Sequence, residues 1–134
     1  MNYKKYFLLF YINFVFGQIP FKIGESLQYY AEFNLVRVGE AKLIISEIEK
    51  INNIDSYHVT YSAKTKGLAD RLFKIRDKID IWIDKEEFFT HQLIKDINQG
   101  NYKNKIDVKF DYKKSIATTY NKEVPIDFKA RDSF

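Results

Sequence analysis

The sequence predicts a mainly β fold: a curled antiparallel sheet, an open barrel or half-barrel of about seven strands, with one short helix between strands 3 and 4. Three observations carry that prediction. Several stretches alternate apolar and polar residues with a period of two, the pattern of a half-buried strand. Aromatics make up 17% of the chain, with 12 Phe and 10 Tyr against 5 Gly and 2 Pro, and aromatic side chains suit a pleated surface. Between Lys66 and Ile75 the period changes to that of a helix. A length of 134 residues suits one domain better than two.

The first element is not part of the sheet. Met1 to Gly17, MNYKKYFLLFYINFVFG, has Lys4 and Lys5 before an apolar run from Tyr6 to Phe16, then Val15 and Gly17 as small residues ahead of a cut before Gln18. Those are the three parts of a secretion signal. The apolar run is shorter than the roughly 20 residues a membrane span needs. An uncleaved anchor or a first buried strand is the plainer alternative. The expected division is therefore 1–17 as signal peptide and 18–134 as a single β-rich domain, exported to the periplasm or cell envelope, with no transmembrane span after cleavage. Net charge is +4 for the whole chain. Without Lys4 and Lys5, 20 basic residues face 18 acidic ones. Those charges are interleaved, whereas a nucleic-acid binder gathers its cations on one face, so no nucleic-acid partner is expected.

The strands follow in order. Leu27 to Leu35 puts Leu27, Tyr29, Ala31, Phe33 and Leu35 on one face, with Val36 and Arg37 as connection and Gly39 at a bulge where a positive φ costs it nothing. Glu40 to Ile48 carries Ala41, Leu43 and Ile45 on its apolar face. Lys50 to Ser56 is a polar turn. Tyr57 to Thr65 directs Tyr57, Val59, Tyr61 and Ala63 inward. From Lys66, Leu68, Leu72 and Ile75 fall at i, i+4 and i+7, with Ala69 and Phe73 beside them and Asp70 and Lys74 as an i, i+4 pair. So short a helix needs tertiary packing. It is expected to seal one end or face of the sheet, so that Leu72→Asp would bury an unpaired charge and unfold the domain. The two-residue period then returns with Ile79, Ile81 and Ile83. Asp84 to Glu87 turns, Phe88 to Asn98 is a fifth strand, and Gln99-Gly100-Asn101 is a tight turn. Ile106, Val108, Phe110 and Tyr112 mark the sixth strand, and Ile116 to Lys122 a weaker seventh.

Four stretches read together carry a family resemblance. They are Phe21-Lys22-Ile23-Gly24-Glu25-Ser26-Leu27-Gln28-Tyr29, Val38-Gly39-Glu40-Ala41, Thr65 through Asp77 (TKGLADRLFKIRD), and Gly100-Asn101-Tyr102-Lys103 leading to Val108-Lys109-Phe110-Asp111. In that order they resemble the domain-of-unknown-function family 3108, a bacterial group of exported proteins, over Phe21 to Phe134. The resemblance implies an envelope location and a predominantly β fold. It implies no established activity and no catalytic residues. Members of the family continue beyond the point where Arg131-Asp132-Ser133-Phe134 stands, so the resemblance implies a chain truncated at its C-terminus, the N-terminal part of the family domain.

Little chemistry stands out. With no Cys there are no disulfides, thiolate metal sites or catalytic thiols. His58 and His91 have no partner at metal-ligand spacing, and neither a G-x-S-x-G nor a phosphate loop is present. No metal, cofactor or catalytic residue is expected, and the chain reads as a non-enzyme. Tyr29, Phe33, Tyr61, Trp82 and Phe110 are candidate lining residues for a ligand in the curl, and serve equally well as ordinary core. Asp70, Arg71, Arg76 and Asp77 are a candidate recognition patch at the rim, with local ion pairing as the plainer role. Trp82 lies opposite the isoleucine face and is expected, with Tyr30, on a second apolar face. The expected function is an envelope binding module for an apolar small molecule or lipid. The alternatives are a structural module binding an envelope protein by its sheet edges, and an enzyme.

Overall fold

The computed structural model describes residues 22–120 and 122–127. The segment read as a signal, 1–17, and the terminal residues 131–134 lie outside the described residues. Eight strands form one antiparallel sheet in sequence order: β1 (Ser26–Phe33), β2 (Val36–Ile51), β3 (Ile54–Thr65), β4 (Arg76–Asp84), β5 (Thr90–Gln99), β6 (Tyr102–Asp111), β7 (Ile116–Thr119) and β8 (Lys122–Pro125). One helix, α1 (Gly67–Leu72), lies between β3 and β4. Each strand pairs only with its sequence neighbours, so β1 and β8 are both edges and the curled sheet is open. The predicted class and the position of the helix hold. The strand count is eight because Lys122 to Pro125 returns along Ile116–Thr119.

The register places the apolar alternations on one face, since directly paired residues point the same way. One row runs Ile45, Val59, Ile81, Leu93, Val108, and the next Leu27, Leu43, Tyr61, Ile79. Ile45 is 2% exposed and packs with Tyr57 and Val59, while Phe88 from the β4–β5 connection lies over them with Ile48 and Ile83. Ile79, Ile81 and Leu93 continue the core along the same face.

Three local expectations need correction. The first turn is Asn34-Leu35, at φ 47° and 64°, while Val36 and Arg37 already belong to β2. A leucine in the left-handed region gives no turn signal in a sequence, which is why the alternation reads straight through it. Gly39 does sit beside a bulge, between the Ala31–Gly39 and Glu32–Arg37 pairs, but not at positive φ. A Cβ there would stand 3.1 Å from the Lys64 carbonyl oxygen, so it is close approach that favours glycine.

The third correction concerns the helix. It has six residues, none buried, and Phe73 has already turned extended at φ −151°. The i+7 position of the expected face therefore never forms. Leu68 and Leu72 are 70% and 80% exposed, and Phe73 is 53% exposed. Nor does Asp70 pair with Lys74; it turns to Arg76 instead. The helix is not a plug. Leu72→Asp is thus expected to shift stability by no more than about 0.5 kcal/mol, the range of surface substitutions away from special features. Urea unfolding that showed a larger loss would mean that Leu72 is packed after all.

Candidate functional site

The sequence makes one region of the inner face shallow. Tyr29 on β1 pairs with Ala41 on β2, which pairs with Ala63 on β3. One step along, Ala31 pairs with Gly39, which pairs with Thr65. Three neighbouring strands thus present alanine or glycine where the rows behind them present Leu43, Tyr61 and Ile79. Small side chains leave a hollow, and its walls are Tyr29, Tyr61, Ile75 and Ala69 from α1. The result is an open groove of about 390 Å³, within the range of small-molecule pockets.

The groove's end wall is fixed by an ionic clamp. Arg76 Nη1 donates to Asp70 Oδ1 at 2.7 Å and Nη2 to Oδ2 at 3.0 Å, a bidentate pair. Thr65 Oγ1 also donates to Asp70 Oδ1 at 2.7 Å and accepts from the Ile75 amide at 2.9 Å. The Arg76 guanidinium, then the Thr65 hydroxyl, hold the Asp70 carboxyl at about 2 against an ordinary 3.8. At the mouth, Glu40 Oε1 takes an ion pair from Lys64 at 2.8 Å and Oε2 one from Lys66. These bonds, Lys64 first, keep the Glu40 carboxyl below its usual range.

Residues 27–134 match the family described as "Protein of unknown function (DUF3108)". The chain belongs to the DUF3108 family. No curated protein and no solved structure matches it.

In this DUF3108 chain the five candidate lining residues do not converge. Tyr29 and Tyr61 line the groove. Phe33 lies beside the β1–β2 turn and is 70% exposed. Phe110 pairs with Ala117 and stacks on Tyr112 at 5.9 Å, among the connections at the far end of the sheet. Trp82 points from the opposite face, because it pairs with His58 and Gln92 between the core positions. There it stacks on His58 at 4.6 Å and donates from Nε1 to Glu49 Oε2 at 2.9 Å. The second apolar face expected of Trp82 and Tyr30 does not form: Tyr30 lies under Arg37, 4.0 Å from its ring centroid.

The four rim residues likewise separate. Asp70 and Arg76 bind one another. Asp77 accepts from the Asn98 amide at 2.9 Å and from Gln99 Nε2 at 2.6 Å, tying β4 to β5. Arg71 alone is exposed without an ion pair among the described residues. Local pairing is the better description of this set.

Two polar clusters were not legible as such. On the outer face His58 Nδ1 lies 2.8 Å from Glu49 Oε1 and Nε2 lies 3.0 Å from Asp80 Oδ1. Burial opposes charge on Asp80, but Lys78, Thr60 and His58 outweigh it and hold the carboxyl below its usual value. Near the β4–β5 turn, Asp84 Oδ1 accepts from the Glu86 and Glu87 amides at 2.8 and 2.7 Å, and Oδ2 lies 3.1 Å from His91 Nε2. Phe89 and Tyr112 close around that pair. Among the described residues no group of His, Asp and Glu is arranged to hold a metal ion. The alternation does mark His58, Asp80 and Trp82 as sharing the outer face; their register is what the sequence withholds.

Proposed function

We propose that this chain is a non-enzymatic binding module of the bacterial cell envelope, exported by the Met1–Gly17 segment, whose groove takes up an acyl chain or a similar elongated apolar molecule. The single observation that carries the reading is the groove itself: a floor of Ala31, Gly39, Ala41 and Ala63 between the walls of Tyr29, Tyr61 and Ile75. Its polar neighbours support uptake rather than reaction, since Glu40, Lys64 and Thr65 are committed to ion pairs and hydrogen bonds. Each methylene buried contributes about 0.8 kcal/mol, so about ten of them offset the several kcal/mol lost on ordering a flexible ligand. Short fatty acids should therefore bind far more weakly than long ones.

Titration of the delipidated chain with a fluorescent fatty acid tests this. Saturable uptake is expected, and Ala63→Phe, which fills the floor of an open groove, should abolish it while leaving the fold intact. Uptake unaffected by Ala63→Phe would place the ligand elsewhere, and no uptake would remove the reading.

A second reading has its own observation. All eight residues of the edge strand β1 are exposed, with Glu32 as its only charge and no Pro, whereas β8 carries Lys122, Glu123 and Pro125. Charge and Pro guard an edge against pairing, so β1 is the edge suited to an added strand from an envelope protein. Crosslinking from β1 in intact cells that recovered no protein would remove that reading.

A further inference from the structure

The two ends of the sheet differ in chemistry. Because every strand is antiparallel to the next, the β1–β2 and β5–β6 turns and α1 with its flanks fall at one end, and the β2–β3, β4–β5 and β6–β7 turns at the opposite end, while the short β7 carries the chain only part-way back along β6. Hydrogen bonds join the first set: the Lys66 amide donates to the Val38 carbonyl at 2.9 Å, and the Gly100 amide to the Lys74 carbonyl at 2.7 Å. In the turn segments at this end, 34–37, 66–75 and 100–103, five basic residues accompany one acidic residue. In the turn segments at the other end, 52–55, 84–89 and 111–115, five acidic residues accompany three basic ones.

Apolar exposure follows the same division. Phe33, Leu35, Val36, Leu68, Leu72 and Phe73 stand exposed at the basic end. The turns that join strands at the acidic end expose Ile54 among their large apolar side chains, with Ile23 exposed in the lead-in to β1. The acids bordering the basic end are already engaged: Glu32 with Arg37, Glu40 with Lys64 and Lys66, Asp70 with Arg76, and Asp77 with Asn98 and Gln99. Arg71, Lys74 and Lys103 are exposed beside the apolar tips.

Leu35 is the sharpest sign. It is 97% exposed and held at φ 64°, a conformation that favours Gly or Asn. A β-carbon at positive φ works against the folded chain, and a fully solvated isobutyl group contributes no burial to offset it. Both are accounted for if the side chain leaves water when the protein is at work.

We propose that this end of the sheet seats on the surface of an anionic lipid bilayer, its apolar tips entering the headgroup region and Arg71, Lys74 and Lys103 facing lipid phosphates. Apolar side chains ringed by free cations are what such a surface binds. The contact is interfacial: no helix among the described residues is long and apolar enough to cross a membrane. The groove reaches the same end through Thr65, Ala69 and Ile75, but the inference does not depend on what the groove holds.

Co-sedimentation of the full chain with vesicles tests it, using equal parts phosphatidylglycerol and phosphatidylcholine against phosphatidylcholine alone. Tyr6–Phe16 is common to every variant, so differences between variants report on the rim. Binding should favour the anionic vesicles and weaken with salt. The double variant Leu35→Gly, Leu72→Ser should lower affinity for them by at least about tenfold, and Arg71→Gln or Lys74→Gln by about fivefold each. Leu35→Gly alone should raise the thermal midpoint while weakening vesicle binding, a pair of signs that a purely structural leucine would not give. All rim variants should keep fatty-acid uptake, and Ala63→Phe should keep vesicle binding. Rim variants that bind like the parent chain, or binding indifferent to phosphatidylglycerol, would overturn the proposal.

Discussion

Asp84→Ala is expected to lower the stability of the chain by about 3–5 kcal/mol, because three groups hydrogen-bonded to one buried carboxylate lose it, at about 1–3 kcal/mol for each group left unsatisfied. Asp84 is 7% exposed and serves three groups at once: the Glu86 and Glu87 amides and the His91 ring. Alanine leaves all three without their acceptor at the turn that brings Phe88 over the core. Asp84→Asn keeps an amide oxygen for the turn but loses the charge, and should cost less. Acid should act through the same group. Burial pushes the Asp84 carboxyl up, but the Glu87 and Glu86 amides and His91 outweigh it, so its folded value lies below the ordinary 3.8. A depressed carboxyl stabilises the fold above its unfolded value, and that contribution is lost as pH falls through 3.8 towards the folded value. Urea midpoints measured down that window should converge for the parent chain and Asp84→Asn. Midpoints that stayed equally far apart at every pH would show that Asp84 does not carry this charge effect.

Ile45→Ala is the second large effect, at about 2–5 kcal/mol, the loss expected when a buried isoleucine is truncated and its cavity persists. Ile45 stands at the head of the row Val59, Ile81, Leu93, and Tyr57, Val59 and the backbone pair it forms with Val59 fix its surroundings. Against a typical total of about 5–15 kcal/mol, that loss is a large fraction of the fold's stability. The contrast with Leu72→Asp is informative, because both positions carry an aliphatic residue on an apolar period. A result in which the helix substitution unfolded the chain and Ile45→Ala did not would relocate the core to α1.

That contrast also measures how far the residues could be read in advance. Two-residue alternation locates β3, β4 and β6, because one face of each is more buried than the other, and the pattern states that difference directly. Periodicity identifies a stripe of apolar residues without saying what covers it. The spacing of Leu68 and Leu72 therefore predicts a seal, whereas the chain turns extended at Phe73 and leaves them outside. Alternation gives β2 nine residues where it has sixteen: the unsignalled Asn34-Leu35 turn hides Val36 to Gly39, and the irregularity between Ile45 and Ile48 ends the alternation short of Ile51. The groove was legible only in part. Alternation marks Tyr29 and Tyr61 as large inward residues, but a hollow is made by small ones. Ala31, Ala41 and Ala63 already shared the right parity in three successive strands, and only register brings them side by side.

The central claim is that an acyl chain lies along that alanine floor, and it is tested most directly by contacts between ligand and methyl groups. With alanine methyls isotope-labelled in the delipidated chain and a protonated long-chain fatty acid added, cross-relaxation should appear at Ala31, Ala41, Ala63 and Ala69. It should be absent at Ala117, which is buried across from Phe110 at the far end of the sheet. Contacts confined to Ala117, or a bound fatty acid that touches none of the four floor and wall methyls, would contradict the account.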